Sequence, residues 1–359
     1  MSKSIVLVVH GIGEHTEANL KKTVIDAANE ALGRYDDLKG MKYEDYVDVI
    51  PVVYDDIFEK ERKKIADNSN AILDIIKDSN LGGTDLFDKL AKVSEDNTFN
   101  THILDILFYA GVRTTEVRAR IIGKLSEKIG FNPSRKIHVI THSMGTAGAH
   151  DTLAKAYGTG IKNQFDADNK NADKKSFIQT RLFPDIHKLD SIWMFANTSQ
   201  LFYDYNPLKT NVNPHKSIVR PKADNTGCTL KYFNVCHKYD IIGKAVPFEP
   251  PKAWNRNKSH AAYVDDIETK DFYKTINPHS LYEYIINPCV SHKFLRITMP
   301  TGSGIPTEPP TAELPSLNKE AQKIIDLVDN ADSISDFVDL IKVGSEFLGS
   351  IPKKWRKFS

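Results

Sequence analysis

The sequence predicts an α/β protein with a doubly wound, mostly parallel sheet. Predominantly apolar runs of strand length occur at residues 5–9, 137–140, 191–198 and 230–236. The first run is continuous, as expected for a strand that is buried on both faces of a parallel sheet. Helical periodicity separates the early runs, so strand and helix alternate along the chain. With 359 residues, the chain can form one large domain or two modest ones.

The first strand is followed by a helix and a second strand. Residues 16–32 carry apolar side chains at helical spacing, and Gly33 follows as a stop signal. These apolar positions are Leu20, Val24, Ala27, Ala28 and Ala31. Residues 46–54 predict the second strand, in which Pro51 indicates a bulge or an edge position.

Between residues 55 and 115 the pattern is helical only, and this stretch is too long for a simple crossover. Several apolar stripes at helical spacing predict an inserted helical segment. Such stripes most often form the core of the insertion itself. A further helix, with apolar residues from Val117 to Ile129, is expected to pack on the sheet before the next strand.

The stretch 136–150, KIHVITHSMGTAGAH, predicts a strand that turns sharply and continues as a helix. Ser143 lies on the bend. Small residues follow it, beginning with Gly145, and they allow a helix to press closely against the preceding strand. This pattern places a serine hydroxyl above the sheet, with the backbone donors of a helix N-terminus beneath it. An ordinary strand-to-helix turn that contains serine is the alternative interpretation.

Here the chain resembles the α/β-hydrolase superfamily, in particular its lipase-like and esterase-like members. Their signature is G-x-S-x-G, and this sequence departs from it at the first glycine, which is Thr141. The resemblance implies that Ser143 is the catalytic nucleophile. It also implies an α/β-hydrolase core formed by residues 1–54 and 116–298, with residues 55–115 as a helical cap over the active site.

A His-Gly pair directly follows the first strand, at His10 and Gly11. In the lipase-like hydrolases such a pair begins the loop that supplies one amide of the oxyanion hole. By that resemblance, the N–H of Gly11 or Ile12 and the N–H of Met144 form the oxyanion hole. A phosphate-binding loop is excluded because neither glycine-rich phosphate motif is present here.

Asp240 is predicted to be the acid of the triad. It follows the strand at residues 230–236, in an Asp-x-apolar-Gly turn, where these hydrolases keep the carboxylate. A turn aspartate that caps its own backbone is an equally plausible reading of the local pattern. Asp204, which follows the previous strand, is a competing acid.

His279 is predicted to be the catalytic base. It stands on a turn just before a helical stretch and follows the acid, which gives the chain order Ser, Asp, His expected of the family. His260 and His292 are rivals, because a single histidine with apolar neighbours is more often structural.

The C-terminal part of the chain differs in composition from the rest. Residues 299–316 are rich in Pro, Gly and Thr and predict a linker, and residues 317–359 predict amphipathic helices. The tail at 352–359 places four cations around Trp355 and Phe358. It could contact an anionic membrane or a partner, but a helical hairpin packed back on the domain is the favoured interpretation.

Composition restricts the classes of partner and compartment. The formal net charge is only +1, so no global field indicates nucleic acid. The three cysteines are odd in number and form no Cys-x-x-Cys pair, which favours a reducing compartment and disfavours structural zinc. No signal peptide or apolar run of membrane-spanning length is evident. The expectation is a cytoplasmic protein, with signal-less export left open.

Together these features predict a serine hydrolase that cleaves a carboxylic ester, either a small molecule or a lipid, through an acyl-enzyme. No metal or organic cofactor is expected. Amide and thioester substrates would use the same residues, and the oligomeric state is not predicted. The alternatives are a non-catalytic binding protein on the same fold, and an adaptor that acts through its C-terminal helices.

Overall fold

A computed structural model describes residues 2–11, 15–57, 59, 114–129, 135–164, 177–200, 213–245 and 247–329. Most of the predicted helical insertion at residues 55–115 lies outside these ranges. The same holds for the second predicted C-terminal helix and the basic tail. The statements below therefore concern the described residues.

The strands form one large parallel sheet and one small antiparallel pair. In chain order they are β1 (Ser4–Val9), β2 (Val47–Val52), β3 (Ile137–His142), β4 (Ile161–Gln164), β5 (Phe177–Thr180), β6 (Leu189–Phe195), β7 (Thr229–His237) and β8 (Tyr263–Thr269). The large sheet has six strands in the order β2-β1-β3-β6-β7-β8, and every neighbouring pair in it is parallel. An α/β fold with a parallel sheet was predicted, and the sheet is parallel throughout its six described strands.

Helices cover both faces of this sheet. The described helices are α1 (Glu17–Leu32), α2 (Thr114–Ile129), α3 (Met144–Tyr157), α4 (Ile241–Ala245), α5 (Leu281–Ile286), α6 (Pro288–Thr298) and α7 (Gln322–Asp329). Side chains alternate along β1, so Ile5, Leu7 and Val9 pack with α2 and α3 on one face. Val6 and Val8 pack with α1, α5 and α6 on the other. Both faces of the central strands are therefore buried.

The first helix follows the sequence prediction closely. Thr16 caps α1, because its hydroxyl accepts the Asn19 N–H at 3.1 Å. The helix ends at Gly33, and all five apolar positions predicted from the periodicity are buried. Periodicity alone was sufficient here because the stripe faces a sheet and the opposite face meets solvent.

Three strands were not predicted. Two of them, β4 and β5, form the short antiparallel pair. The other missed strand is β8, which contains acidic residues and lacks a long apolar run. Its Asp265 is buried and forms a 2.8 Å ion pair with Lys258. Tertiary contacts therefore compensate for a charge that the sequence pattern would place in solvent.

The predicted linker leads into a helix that packs against the domain. The Leu317 N–H donates to the Phe272 carbonyl at 2.7 Å, and Asn318 Nδ2 donates to Asp271 at 2.8 Å. Ala321, just before α7, is buried against Tyr239 and Phe272. Across the described ranges, no helix has the length and apolar character needed to span a membrane.

Candidate functional site

The carboxyl ends of the parallel strands bring several polar residues together. Ser143 follows β3, Asp240 follows β7, and His279 lies in the loop between β8 and α5. Gly11 follows β1, the strand next to β3. Because parallel strands end at the same edge of a sheet, loops that are far apart in sequence meet here.

Ser143 has a strained backbone conformation, with φ at 55° and ψ at −134°. Its N–H donates to the Phe195 carbonyl at 2.9 Å. Its carbonyl accepts from the Thr146 hydroxyl at 2.6 Å and from the Thr198 hydroxyl at 3.0 Å. These bonds hold a conformation that costs about 1–3 kcal/mol for a residue other than glycine. The serine side chain is thereby fixed at the point where β3 ends and α3 begins.

Close packing around the bend explains the small residues that follow it. A Cβ on Gly145 would lie 2.1 Å from the His10 carbonyl oxygen, so only glycine allows β1 and α3 to approach this closely. Thr141, which stands where the family motif has glycine, is fully buried. Its hydroxyl donates to the Trp193 carbonyl at 3.0 Å, so this polar group is satisfied inside the core.

His279 lies between Ser143 and Asp240. Its Nε2 is 2.8 Å from Ser143 Oγ, and its Nδ1 is 2.9 and 2.8 Å from the two carboxylate oxygens of Asp240. A carboxylate can only accept, so Nδ1 carries the proton and Nε2 is free to accept the serine proton. The His279 N–H donates to the Asn277 side chain at 3.0 Å, which fixes the loop. The three residues therefore form a continuous hydrogen-bonded chain.

Asp240 is almost completely buried and is held by several donors. Its Oδ1 accepts the N–H groups of Ile242 at 3.0 Å and Gly243 at 3.1 Å, at the start of α4. Its Oδ2 accepts the hydroxyl of Tyr284 at 2.6 Å. The same carboxylate thus caps its own backbone and also contacts His279.

The surroundings of Asp240 keep it ionised. Burial by itself raises the pKa of this carboxyl group. The charge of His279 and the hydrogen bonds from His279, Tyr284 and the Gly243 N–H outweigh burial, so the pKa lies below the usual value for aspartate. A charged acceptor therefore faces His279 at neutral pH.

Two of the residues predicted for the oxyanion hole are described, and both adjoin Ser143. A Cβ on Gly11 would lie 2.4 Å from Cβ of Ser143, so the Gly11 backbone is in contact with the serine. Met144 is the first residue of α3, where N–H groups have no carbonyl partner within the helix. The third residue, Ile12, lies outside the described residues.

The loop that carries Gly11 is fixed by a tyrosine that the sequence analysis did not single out. The Tyr54 hydroxyl donates to the His10 carbonyl at 2.6 Å, and the Tyr54 N–H donates to His10 Nε2 at 3.1 Å. Nδ1 of His10 donates to the Gly11 carbonyl. Burial and the neighbouring His15 lower the pKa of His10 well below its usual value, so this ring is neutral.

His142 hydrogen-bonds the backbone of His279. Its Nε2 donates to the His279 carbonyl at 2.8 Å, and the two rings lie 4.7 Å apart. Burial and the charge of His279 lower the pKa of His142 well below its usual value. A neutral histidine therefore acts as a fixed donor to the loop.

The rival residues occupy different positions. His292 contacts the Tyr35 hydroxyl at 2.6 Å and the Thr307 carbonyl at 3.1 Å, which is a structural arrangement on α6. His260 follows an exposed turn and contacts none of Ser143, Asp240 and His279. Asp204 lies outside the described residues.

Sequence reasoning missed five supporting residues: Tyr54, His142, Thr146, Thr198 and Tyr284. Only His142 and Thr146 had a signal, because they lie on the same bend as the serine. The others are distant in sequence and are brought to the site by the sheet.

The described residues contain no group of three His, Cys, Asp or Glu side chains that is arranged to hold a metal ion. Comparison of the sequence with models of protein families and with curated proteins found no match in either case. Function is therefore inferred from the geometry and chemistry of the site.

Proposed function

We propose that this protein is a serine hydrolase of the α/β-hydrolase type, which cleaves a carboxylic ester through an acyl-enzyme. The observation that carries the proposal is the chain of hydrogen bonds from Ser143 through His279 to Asp240. The chain order Ser, Asp, His and the strained serine between a strand and a helix also support this fold type.

In the first step, Ser143 Oγ attacks the carbonyl carbon of the ester. Its proton passes to Nε2 of His279, because a serine hydroxyl is a weak nucleophile without an adjacent base. Asp240 holds the imidazole with its proton on Nδ1 and stabilises the imidazolium that forms. The 2.8 Å separation of Oγ and Nε2 is suitable for this transfer.

The tetrahedral intermediate places a negative charge on the former carbonyl oxygen. The N–H groups of Gly11 and Met144 are the described candidates to stabilise that charge, because both backbones adjoin Ser143. The N-terminal end of α3 adds a favourable field for an anion. His279 then gives its proton to the leaving alcohol.

In the second half of the reaction, water attacks the acyl-enzyme. His279 takes a proton from this water and returns one to Ser143 Oγ, which releases the carboxylic acid. The side chain of His279 is 24% exposed, so solvent can reach the base. No step of this sequence needs a redox change.

The substrate is proposed to be an acyl ester, with a lipid-like ester as the first candidate. The predicted helical cap would supply an apolar surface for the acyl chain. Ile242 lies beside Asp240 and is 40% exposed, so an apolar side chain borders the site. Activity that is confined to short water-soluble esters would contradict the lipid version.

The proposal is tested by labelling the purified protein with a fluorophosphonate probe, followed by peptide mass analysis. Labelling of the wild type is expected at Ser143, and the Asp240→Asn and His279→Ala variants should label much more slowly. Ser191→Ala is a matched control, because Ser191 also contacts a histidine at 2.8 Å but lies in the core.

The outcomes separate the functional classes. Rapid labelling at Ser143 that requires His279 and Asp240 supports an activated nucleophile. A folded wild type that neither labels nor turns over p-nitrophenyl butyrate contradicts the hydrolase and favours the alternative prediction of a non-catalytic binding protein on this fold.

A further inference from the structure

Tyr284 is a buried residue that hydrogen-bonds the acid of the candidate site. It lies on α5, which begins two residues after His279. Its hydroxyl donates to Asp240 Oδ2 at 2.6 Å and accepts the His237 N–H at 3.0 Å. The side chain is 1% exposed, so these bonds form without competition from solvent.

We propose that Tyr284 is a positioning residue for ester hydrolysis, whose buried hydroxyl fixes the Asp240 carboxylate and tunes its hold on His279. This inference rests on the proposed function. It adds a residue that the Ser, His and Asp arrangement does not itself require.

The geometry of the carboxylate gives Tyr284 this role. Backbone N–H groups of Ile242 and Gly243 bind Oδ1, while the tyrosine hydroxyl binds Oδ2. Each oxygen thus has a fixed donor in addition to His279. Because both oxygens accept hydrogen bonds from fixed donors, rotation of the carboxylate away from the imidazole would break those bonds.

The tyrosine remains a donor at every working pH. Burial and the nearby charge of Asp240 raise the pKa of Tyr284 well above its usual value, so the phenol stays protonated. The hydrogen bond from the Tyr284 hydroxyl partly neutralises the negative charge on Oδ2. If this hydrogen bond were absent, the carboxylate charge would stabilise the imidazolium of His279 more strongly.

Three other titratable groups close to Asp240 do not carry charge at neutral pH. Burial lowers the pKa values of His142 and His237, and burial raises the pKa of Cys236 to about 11. Lys244, on α4, forms an ion pair with Glu268. A change at Tyr284 therefore acts first on Asp240, to which its hydroxyl is bonded, and through it on His279.

The test compares Tyr284→Phe with Tyr43→Phe. Tyr43 is also fully buried, and its hydroxyl donates to Thr298 at 2.8 Å, away from the site. Hydrolysis of p-nitrophenyl butyrate is measured from about pH 5 to about pH 9. Unfolding by urea is measured at about pH 3 and about pH 7, which lie below and above the usual aspartate pKa.

For Tyr284→Phe we expect kcat to fall about tenfold with little change in KM, as for the loss of one hydrogen bond to a charged group. The acid limb of the kcat/KM profile should move up by ~0.5 pH unit, because a less shared carboxylate charge favours the imidazolium. The stability loss should be larger at about pH 7 than at about pH 3, because the hydroxyl donates more strongly to the ionised carboxylate than to the protonated one. Tyr43→Phe should lose stability equally at both pH values and keep the wild-type profile.

A second variant covers the case in which Tyr284→Phe fails to fold. Incorporation of 3-fluorotyrosine at position 284 keeps the hydroxyl and makes it a stronger donor, so the acid limb should move to lower pH. A profile that coincides with that of the wild type in either folded variant would overturn the positioning role alone. A wild type without turnover or labelling would overturn the proposed function, and the role with it.

Discussion

Two serine–histidine contacts of the same length lie in the described part of the chain, and only one of them has a carboxylate behind the histidine. Ser143 Oγ lies 2.8 Å from His279 Nε2 at the sheet edge. Ser191 Oγ lies 2.8 Å from His138 Nδ1, between β6 and β3 in the core. The contact itself therefore does not distinguish them.

The two pairs differ in what the second ring nitrogen of the histidine contacts. Nδ1 of His279 faces the ionised Asp240, whereas Nε2 of His138 makes no hydrogen bond within the described part of the chain. Burial, together with Lys136 and Lys231, lowers the pKa of His138 to about 3. A histidine in that environment cannot accept and hold a proton at neutral pH.

The serines also differ in backbone and access. Ser143 has a positive φ, and its histidine partner is partly exposed, whereas Ser191 lies in a regular strand and is completely buried. Ser143 thus differs from Ser191 in three features, which are the carboxylate that faces its histidine, the held backbone bend and the partial exposure of that histidine. The hydrogen-bond distance to the histidine does not separate the two serines.

The largest expected difference comes from removing each serine. Ser143→Ala should lower kcat for p-nitrophenyl butyrate by about 10⁴ to 10⁶, since the proposed nucleophile is removed. Ser191→Ala should keep full turnover and lose about 1–3 kcal/mol of unfolding free energy, because His138 and Trp193 Nε1 lose a partner. Steady-state kinetics and urea unfolding measure both. Equal loss of turnover in the two variants would remove the distinction between the pairs.

Removal of the Asp240 carboxylate should leave the Ser143–His279 pair without a charged partner, as in the buried Ser191–His138 pair. Asp240→Asn should lower kcat about 10⁴-fold, because an amide cannot stabilise the imidazolium and its N–H₂ group favours the wrong tautomer of His279. Asp265→Asn is the matched control, since this aspartate on β8 is also buried and forms ion pairs with Lys258 and Lys293. It should lose stability but keep kcat. Turnover by Asp240→Asn close to that of the wild type would argue for Asp204 as the acid.

The strained bend is tested at the glycine that allows it. Gly145→Ala should lower kcat about 10²-fold, because the new Cβ would meet the His10 carbonyl and separate Gly11 from Met144. Gly123→Ala, on α2, has nothing within 4 Å of the new Cβ and should stabilise the protein by about 0.5–1 kcal/mol. Kinetics and thermal unfolding of both variants are the measurements. Unchanged turnover in Gly145→Ala would show that the close approach is not needed.

A smaller effect is expected at His142. His142→Phe should lower kcat about tenfold, because the His279 carbonyl loses its donor and the loop that carries the base is less well held. His142→Gln keeps a donor and should recover part of the loss. If both variants behave alike, volume rather than the hydrogen bond matters at this position.

The smallest effect concerns stability in acid. The pKa of Asp240 is lower in the folded protein than in the unfolded chain, so its ionisation stabilises the fold above the unfolded pKa. That contribution is lost as pH falls through the folded pKa. The stability difference between the wild type and Asp240→Asn should therefore grow from pH 3 to pH 7, by urea unfolding, with pH values chosen about the usual aspartate pKa. A difference that is independent of pH would show that charge does not stabilise this position.

Much of the fold was accessible from the sequence because its signals are local. The run at residues 5–9, the capped periodicity of α1 and the bend at Ser143 each specify an element from neighbouring residues. β8 was missed because its acidic residues are accommodated by ion pairs from other elements. The hydrophobic pattern of a segment does not show which distant residues will pair with its charges.

The sequence by itself determined where a serine can stand on a sharp strand-to-helix turn. The apolar run at residues 137–140 and the small residues that begin at Gly145 predict that turn from neighbouring residues alone. The structure adds the reason for the glycine, because the approach of β1 leaves no room for a side chain at Gly145. The choice of Asp240 and His279 from several candidates, by contrast, rested on chain order and on the family resemblance.

Only the tertiary structure decided which acid and histidine meet that serine among the described residues. Ser143 and His279 are 136 positions apart, and His279 and Asp240 are 39 apart. The order β3-β6-β7-β8 brings their loops to one edge. It also places the Ser191–His138 pair in the core, where burial keeps the histidine neutral. Local sequence fixes a backbone bend, but hydrogen bonding and burial across the sheet set the charge and partners of each side chain, and these depend on every strand at once.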